Sequence, residues 1–557
     1  MILLSFPKCS ARFTFVRVMP CVLVLMTVFG DASAAYRITL QPTLTVTEEY
    51  TDNLYLSEDA ADYDRITVVS PGFELRGETR NSHVALSYHL GYSDYARFSE
   101  NNAWRHNSLM TSEISLSSRT RLSFDNSLIV TEDPVEQEED SEEAERTTEK
   151  ETVRKERDRY LNNTAALGLT HQFNKSDSVS LQYVFDILNN EDPGVRNTKK
   201  HIPSLTLTCW PIPNRLETKT RVAYQRDDTD DATDDPGYSE ERIDPSIDLT
   251  YWVIPRKFSL KAGLAYTRGV SYENADDAAG ENTDKEDDNW YESIIPSVGM
   301  TYRFSPKWGF EADTSCTRAI TWDQDDLSDP DDDFETWTGR LKLSHTFSKS
   351  LEGFVQYDQS QTDFEGEGGT ESDDSDYTVC NPSVGLTMLL AENLPLTFGL
   401  GYVLRDIKDE GTEAAITVNG AVNRWQFSRY GFLSFKASSG YDESNLGAES
   451  LGFGFYYDMN LRISYIFSNH LSADVYGLYK RDKFTDNEDD DSQDEDSRDD
   501  TTTEVGAGIT WQPLRWVYMR LGYSYREVNS TSDEDSYDVN RVTFDVSFTP
   551  QRPFRIW

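Results

Sequence analysis

The sequence predicts an all-β chain folded as a single transmembrane antiparallel up-and-down β-barrel of about 24 strands, within a range of roughly 20 to 26. Three observations predict it. Apolar and polar residues alternate strictly over stretches of about ten residues, which is the strand period. Short and long connections take turns along the chain. The aromatic content is high, at 12%, in a chain whose mean hydropathy is only -0.63. That polarity excludes a bundle of membrane helices, and the aromatic content excludes a disordered acidic chain, which is poor in such residues. With 98 acidic against 53 basic side chains the formal charge is -45. A surface of that sign disfavours phosphate backbones, so nucleic acid is excluded as a partner.

Residues 1–34 have the composition of a secretory signal. Lys8, Arg12 and Arg17 precede an apolar run at 21–29, and Ala32-Ser33-Ala34 supplies the small-residue cleavage pattern. The run is too short to span a bilayer. Cys21 lies upstream of the cleavage pattern, so no lipoprotein anchor is expected. Residues 35–557 then form the barrel. Cys209, Cys316 and Cys380 remain, far apart and without C-x-x-C spacing. Zinc and c-type haem sites are not expected, and the thiols are expected to be buried or to face lipid, with one disulfide as the alternative.

The alternation is clearest in four segments. Val84, Leu86, Tyr88, Leu90 and Tyr92 oppose Ala85, Ser87, His89, Gly91 and Ser93. Val517, Met519, Leu521, Tyr523 and Tyr525 oppose Tyr518, Arg520, Gly522, Ser524 and Arg526; Pro296, Val298, Met300 and Tyr302 oppose Ser297, Gly299, Thr301 and Arg303; Val542, Phe544, Val546 and Phe548 oppose Thr543, Asp545 and Ser547. Short connections fall at 79–82, 174–177, 211–214, 255–257, 305–308, 348–350, 392–395 and 468–470. Long ones fall at 51–64, 132–158, 227–240, 274–289, 323–333, 363–376, 486–501 and 529–537, and these carry nearly all the excess negative charge. Short periplasmic turns and long extracellular loops are the asymmetry of outer-membrane barrels. An even strand number, beginning near Tyr36 and ending near Phe548, returns both termini to the periplasm.

Aromatics at the loop ends of strands (Tyr92, Tyr95, Tyr272, Tyr441, Tyr479, Tyr525) fit an interfacial girdle. A weak repeat, Pro203-Ser204, Pro245-Ser246, Pro296-Ser297 and Pro382-Ser383, follows the hairpin unit. Because proline donates no ladder hydrogen bond, these positions are expected at strand beginnings near the outer rim.

The segments Tyr50-Thr51-Asp52-Asn53-Leu54-Tyr55-Leu56, Asp62-Tyr63-Asp64-Arg65-Ile66 and Ser70-Pro71-Gly72-Phe73-Glu74-Leu75 resemble the opening of the Putative beta-barrel porin 2 family. The related barrels of PEP-CTERM and exopolysaccharide loci open similarly. The resemblance covers about 40 residues and implies an outer-membrane barrel, with members implicated in moving exopolysaccharide to the surface. Trp557 fits the terminal aromatic of such barrels, although Pro550 and Pro553 interrupt the alternation before it.

Among candidate functional residues, the wet strand faces offer His89, Arg303, Arg520, Arg526, Arg541 and Asp545 as pore lining. Trp210 and Tyr518, inward by parity, are candidate rings for stacking on sugar. Carboxylates at Asp227, Asp228, Asp230, Asp231, Asp331, Asp332, Asp333, Asp489, Asp490 and Asp491 occur at the density that hard divalent cations favour. None follows the EF-hand order, so the expectation is loose Ca2+ or Mg2+ bridging to lipopolysaccharide or polysaccharide, or solvated charge alone, without a defined metal site or cofactor. The segment 132–158 is rich in Glu, Lys and Arg and suits either a short surface helix or disorder. The seven histidines show no metal-ligand spacing and no local nucleophile motif, so no enzyme is expected. Strand-like alternation right after the signal leaves no room for a large N-terminal plug. The expected function is an outer-membrane conduit for exopolysaccharide working with export machinery. A cation-preferring diffusion porin and a non-conducting scaffold with acidic loops are the alternatives.

Overall fold

The computed structural model describes residues 37–556, apart from 59–61, 134–156, 193–194, 231–236, 274–287, 324–332, 366–375, 392–393, 409–410, 444–452, 486–498 and 532–535. Residues 1–34, expected to be a signal, Trp557 and nearly all of 132–158 lie outside the described residues. The strands, in order, are β1 (Arg37–Thr51), β2 (Asp64–Glu78), β3 (Ser82–Tyr95), β4 (Ala103–Ser115), β5 (Thr120–Thr131), β6 (Tyr160–Gln172), β7 (Ser178–Asn190) and β8 (Thr198–Ile212). Next come β9 (Leu216–Thr229), β10 (Tyr238–Ile254), β11 (Phe258–Glu273), β12 (Asp288–Tyr302), β13 (Trp308–Asp323), β14 (Asp333–Ser348), β15 (Leu351–Glu365) and β16 (Tyr377–Ala391). The last group is β17 (Leu394–Ile407), β18 (Gly411–Gln426), β19 (Gly431–Glu443), β20 (Phe453–Ser468), β21 (Leu471–Thr485), β22 (Asp499–Leu514), β23 (Val517–Ser530) and β24 (Tyr537–Phe548). A two-residue β25 (Phe554–Arg555) follows.

Each strand pairs antiparallel with the next, and β24 pairs back onto β1 from Leu44↔Phe548 to Thr51↔Arg541. The sheet is therefore a closed 24-strand barrel, as the alternation predicts. Closure leaves no raw edge in lipid, where an unsatisfied backbone group is costly. The prolines at 550 and 553 interrupt the ladder without ending it. The tail resumes on the lower edge of β1, with Phe554 opposite Leu40 and Arg555 opposite Thr39. Gln41 Nε2 also donates to the Pro550 carbonyl at 3.3 Å.

The register assigns the faces. Ile38, Leu40, Pro42, Leu44 and Val46 share one face with Leu75, Phe73, Pro71 and Val69, while Thr39, Gln41, Thr43, Thr45 and Thr47 share the other with Arg76, Glu74, Gly72, Ser70 and Val68. The apolar face turns to lipid, as the exposure of Leu44, Val69, Leu341, Leu400 and Phe544 shows. The hydroxyl-rich face turns inward. At the short-turn rim, Phe304, Trp308, Phe347, Phe427, Phe467 and Trp516 stand exposed as an aromatic belt. Sequence reasoning placed a belt only at the loop ends. Of its six tyrosines, Tyr92 does face out, with its ring 4.9 Å from Trp104. Tyr95 does not: it lies on the inward face, 2% exposed.

The proline repeat marks something other than strand beginnings. Pro203, Pro245, Pro296 and Pro382 sit well inside β8, β10, β12 and β16, and Pro71 sits likewise inside β2. At each, the ladder to the following strand skips two residues: pairing jumps from His201 to Ser204, Ile243 to Ser246, Ile294 to Ser297, Cys380 to Ser383 and Val69 to Gly72. The ladder to the preceding strand is kept through the proline in all five. The missing N–H is aimed at one neighbour only, so an interior strand tolerates it at the loss of one local ladder segment.

Cys209, Cys316 and Cys380 are unpaired thiols, and all three carry the outward parity of their strands. They should react with a membrane-permeant maleimide only after detergent extraction. Reducing agent should leave the folded band unshifted on unheated gels; a reducible shift would show a disulfide and overturn this arrangement.

Candidate pore and its outer mouth

The loop 51–64 was expected to stand outside the barrel. Its described residues instead fold back into the outer mouth. Asn53 organises the turn: its Nδ2 donates to the carbonyls of Ser57 (2.8 Å) and Asp538 (2.9 Å), and its Oδ1 accepts from Ser57 N (3.0 Å). Asp52 accepts from Asn540 N at 2.7 Å and from Asn540 Nδ2 at 2.8 Å, which staples the loop to β24. Leu54 and Leu56 are fully buried. Leu54 packs on the inward-facing Ile66 and Tyr95, and Leu56 packs on Tyr537 and Val539. Leu56 has φ 51°, a left-handed conformation disfavoured for a branched side chain and held here by its packing.

Beside this tuck lies a buried charge cluster. Arg105 donates to Glu132 Oε1 from Nε (2.9 Å) and Nη2 (2.6 Å), and to Asp133 from Nη1 (2.6 Å) and Nη2 (2.8 Å). Glu132 Oε1 also accepts from Ser93 Oγ at 2.5 Å and Tyr95 OH at 3.0 Å. Arg157, which is buried, reaches Asp133 at 3.0 Å, Tyr95 OH at 3.2 Å and the Leu54 carbonyl at 3.4 Å. The loop, the wall and both ends of the 132–158 connection are thus tied together through two arginines. Burial alone would raise the Glu132 carboxyl, but the Arg105 guanidinium and the hydrogen bonds from Arg105 and Ser93 outweigh it and hold the group below its ordinary value. A depressed carboxylate contributes stability that is fully present above the unfolded value of about 4.3 and is lost as pH falls through the folded one. The tuck should therefore stay closed through mild acid and release only below that range. Bilayer conductance followed from neutral pH downward checks this; an opening near neutrality would contradict it.

Seven of the eight pore-lining candidates lie in strands and have the inward parity of those strands. Arg520 pairs with Asp474 (3.4 Å), Arg526 with Glu504 (3.8 Å), and Asp545 accepts from Thr47 Oγ1 (2.6 Å). Arg541 stands opposite Thr51 on β1, and Tyr518 opposite Ser547. His89 leans over Gly72, where an added Cβ would stand 2.4 Å from the ring. That close approach explains the glycine after Pro71. Arg303 follows β12 at the short-turn rim. Trp210 is stacked on Trp252, with centroids 5.2 Å apart and planes 9° apart. Sequence reasoning missed Trp252, although it shares the inward parity two strands along. Further charge ladders line the wall, such as Arg340 with Asp358 at 2.7 Å.

The acidic candidates are engaged locally where they are described. Asp227 lies 3.4 Å from Lys200, Asp228 3.1 Å from Arg226, and Asp230 3.3 Å from Lys199. Asp333 is buried at the start of β14. Asp231, Asp331, Asp332, Asp489, Asp490 and Asp491 lie outside the described residues. Among the described residues, no three His, Cys, Asp or Glu side chains are grouped to hold a metal ion.

Strands near 4.8 Å apart and tilted by about 40° close, for 24 of them, on a circle of radius about 24 Å. Wall side chains reach only a fraction of that distance, so the wall alone does not fill the lumen. The arc of wall from β12 through β24, greasy outside and polar inside, coincides with a family match. Residues 295–549 match the Putative beta-barrel porin 2 family. The match lies in the second half of the chain, whereas the residues that suggested the same family lie at 50–75, in the loop that tucks into the mouth and the strand β2 that follows it. No curated protein matches the sequence. The ferric enterobactin receptor PfeA of Pseudomonas aeruginosa, in a mutant form, is similar in fold at 9% identity and a TM-score of 0.51, over 92% of this chain and 80% of that one. The FrpB iron transporter of Neisseria meningitidis is similar at 10% identity and 0.52, over 92% and 81%. At such identities the likeness concerns fold. This porin-like chain is an outer-membrane barrel.

Proposed function

We propose that this barrel is a passive conduit across the outer membrane, taking part in export of exopolysaccharide to the cell surface. The observation that carries the reading is the inner wall: hydroxyls, paired charges of both signs and the Trp210–Trp252 stack line a ring too wide for its own side chains to fill. Paired charges hold few strong wells for any one ion, and hydroxyls and rings offer the contacts a sliding sugar chain exchanges. The acidic outer loops favour cations at the mouth, and millimolar calcium bridging them to lipopolysaccharide or polysaccharide would screen that field. Planar-bilayer conductance of the refolded protein in a salt gradient, with and without calcium, tests the pore. Cation-preferring steps reduced by calcium support it, and silence under all conditions overturns it in favour of a scaffold. A deletion strain that keeps its surface polysaccharide would overturn the cargo and leave a diffusion porin.

A further inference from the structure

At the outer end of the barrel one seam is split. The β18–β19 ladder runs only from Asn419↔Ser438 to Gln426↔Phe432, with a shift between Val422 and Trp425. Above it, residues 411–418 ladder with β17 alone and 439–443 with β20 alone. Ser439 Oγ bridges the parting edges, accepting from Val418 N at 2.7 Å. The two sides do not stay edge to edge. Tyr377, Val379, Val403 and Ile407, on the inward face of β16 and β17, pack against Tyr441 and Phe455, which carry the lipid-facing parity of β19 and β20. The sheet therefore overlaps itself, and Tyr441 serves this overlap and not an interfacial girdle.

Between the overlapping layers lies a cavity of about 280 Å³, lined by Val403, Arg405, Glu413, Ala414 and Ala415 from one layer and Phe455, Tyr457, Arg481 and Lys483 from the other. Three cations and one carboxylate line it, in a chain that carries nearly two acids for every base. Arg405 is 1% exposed, 3.8 Å from Glu413, with its guanidinium 4.9 Å from the Tyr377 ring centroid. Arg481 is set by Asp499, at 2.9 Å from Nε and 2.5 Å from Nη2. Lys483 is exposed at the edge of the cavity. Fixed guanidinium groups, an ammonium at the entrance and the Phe455 and Tyr457 rings over an apolar floor suit a ligand that is both ring-shaped and anionic.

Resting on the conduit reading, we propose that this cavity binds a carboxylated sugar unit of an acidic polysaccharide at the outer mouth. The carboxylate is held by Arg481 and Lys483 with Arg405 behind them, and the ring lies against Phe455 and Tyr457. The cavity gives an acidic chain a local foothold among loops that otherwise repel it. The test uses the full chain refolded in detergent, with thermophoresis read against an oligogalacturonate and a neutral malto-oligosaccharide of equal length. The oligogalacturonate should bind preferentially and more weakly as salt rises, and Lys483→Gln and Arg481→Gln should each weaken it about tenfold. Lys483→Gln is at an exposed position and should keep the wild-type heat-modifiable migration on gels, which certifies the fold. Equal binding of the neutral sugar, or unchanged binding in Lys483→Gln, overturns the proposal. Inorganic phosphate or lipopolysaccharide vesicles that bind through these residues while oligogalacturonate does not would overturn it in favour of a phosphate-bearing ligand. A barrel that conducts and restores surface polysaccharide yet binds no oligogalacturonate sinks this site alone and leaves the conduit intact.

Discussion

Replacing residues 53–58 with a Gly-Ser linker will raise single-channel conductance several-fold. Those residues occupy the mouth because Leu54 and Leu56 are driven under the wall and Asn53 and Asp52 fasten the backbone to β24. A linker without apolar anchors has nothing to bury and leaves the lumen. Two buried leucines represent several kcal/mol of stabilisation, at about 2–5 kcal/mol for each Leu→Ala change in a packed core. Leu54→Ala with Leu56→Ala should accordingly give intermediate, flickering conductance, whereas Tyr63→Ala, outside the buried clusters, should not. Conductance unchanged in the linker variant would show that the constriction lies elsewhere.

Glu132→Ala will destabilise the barrel more than any change to a surface carboxylate. The carboxylate is 1% exposed and receives donors from Arg105, Ser93 and Tyr95. Its removal leaves Arg105 partly buried with only Asp133, and breaking a buried pair costs about 3–5 kcal/mol. The guanidinium midpoint of the refolded protein should fall, together with the temperature at which the folded band disappears from heat-modified gels. By contrast, the exposed pair of Lys199 and Asp230 should contribute at most about 1 kcal/mol. Glu132→Gln retains an acceptor and should recover part of the loss. Equal effects of Glu132→Ala and Asp230→Ala would refute the ranking.

The barrel was legible because strand parity is a local property. His89, Arg520 and Asp545 could be assigned inward from their neighbours in sequence alone. The tuck was not legible, since what turns 51–64 inward is an arginine at 157 and a wall at 537–540, far away in the chain. Tyr95 has the pattern of an interfacial tyrosine and becomes buried only because Leu54 arrives above it. The prolines were misplaced for a different reason. Sequence shows that the donor is missing but not which neighbour it would have faced, and losing one side of a ladder is tolerable in mid-strand. Beyond the Asn419↔Ser438 pair of the β18–β19 seam the parity runs on in both strands while their pairing stops, so nothing in either of those segments announces the overlap.

That seam has a mechanical consequence. Resistance to parting two strands grows with the rungs that join them, and local opening begins where they are fewest. The β18–β19 ladder has six rungs, and the β1–β24 ladder has eight with two more from β25. Counted strand to strand without β25, six and eight are the fewest rungs in the ring, the next being ten at β4–β5, and between these two joins lie the six strands β19 to β24. Under load the wall is not a uniform hoop but a wide shell and a narrow panel, joined along two weak lines.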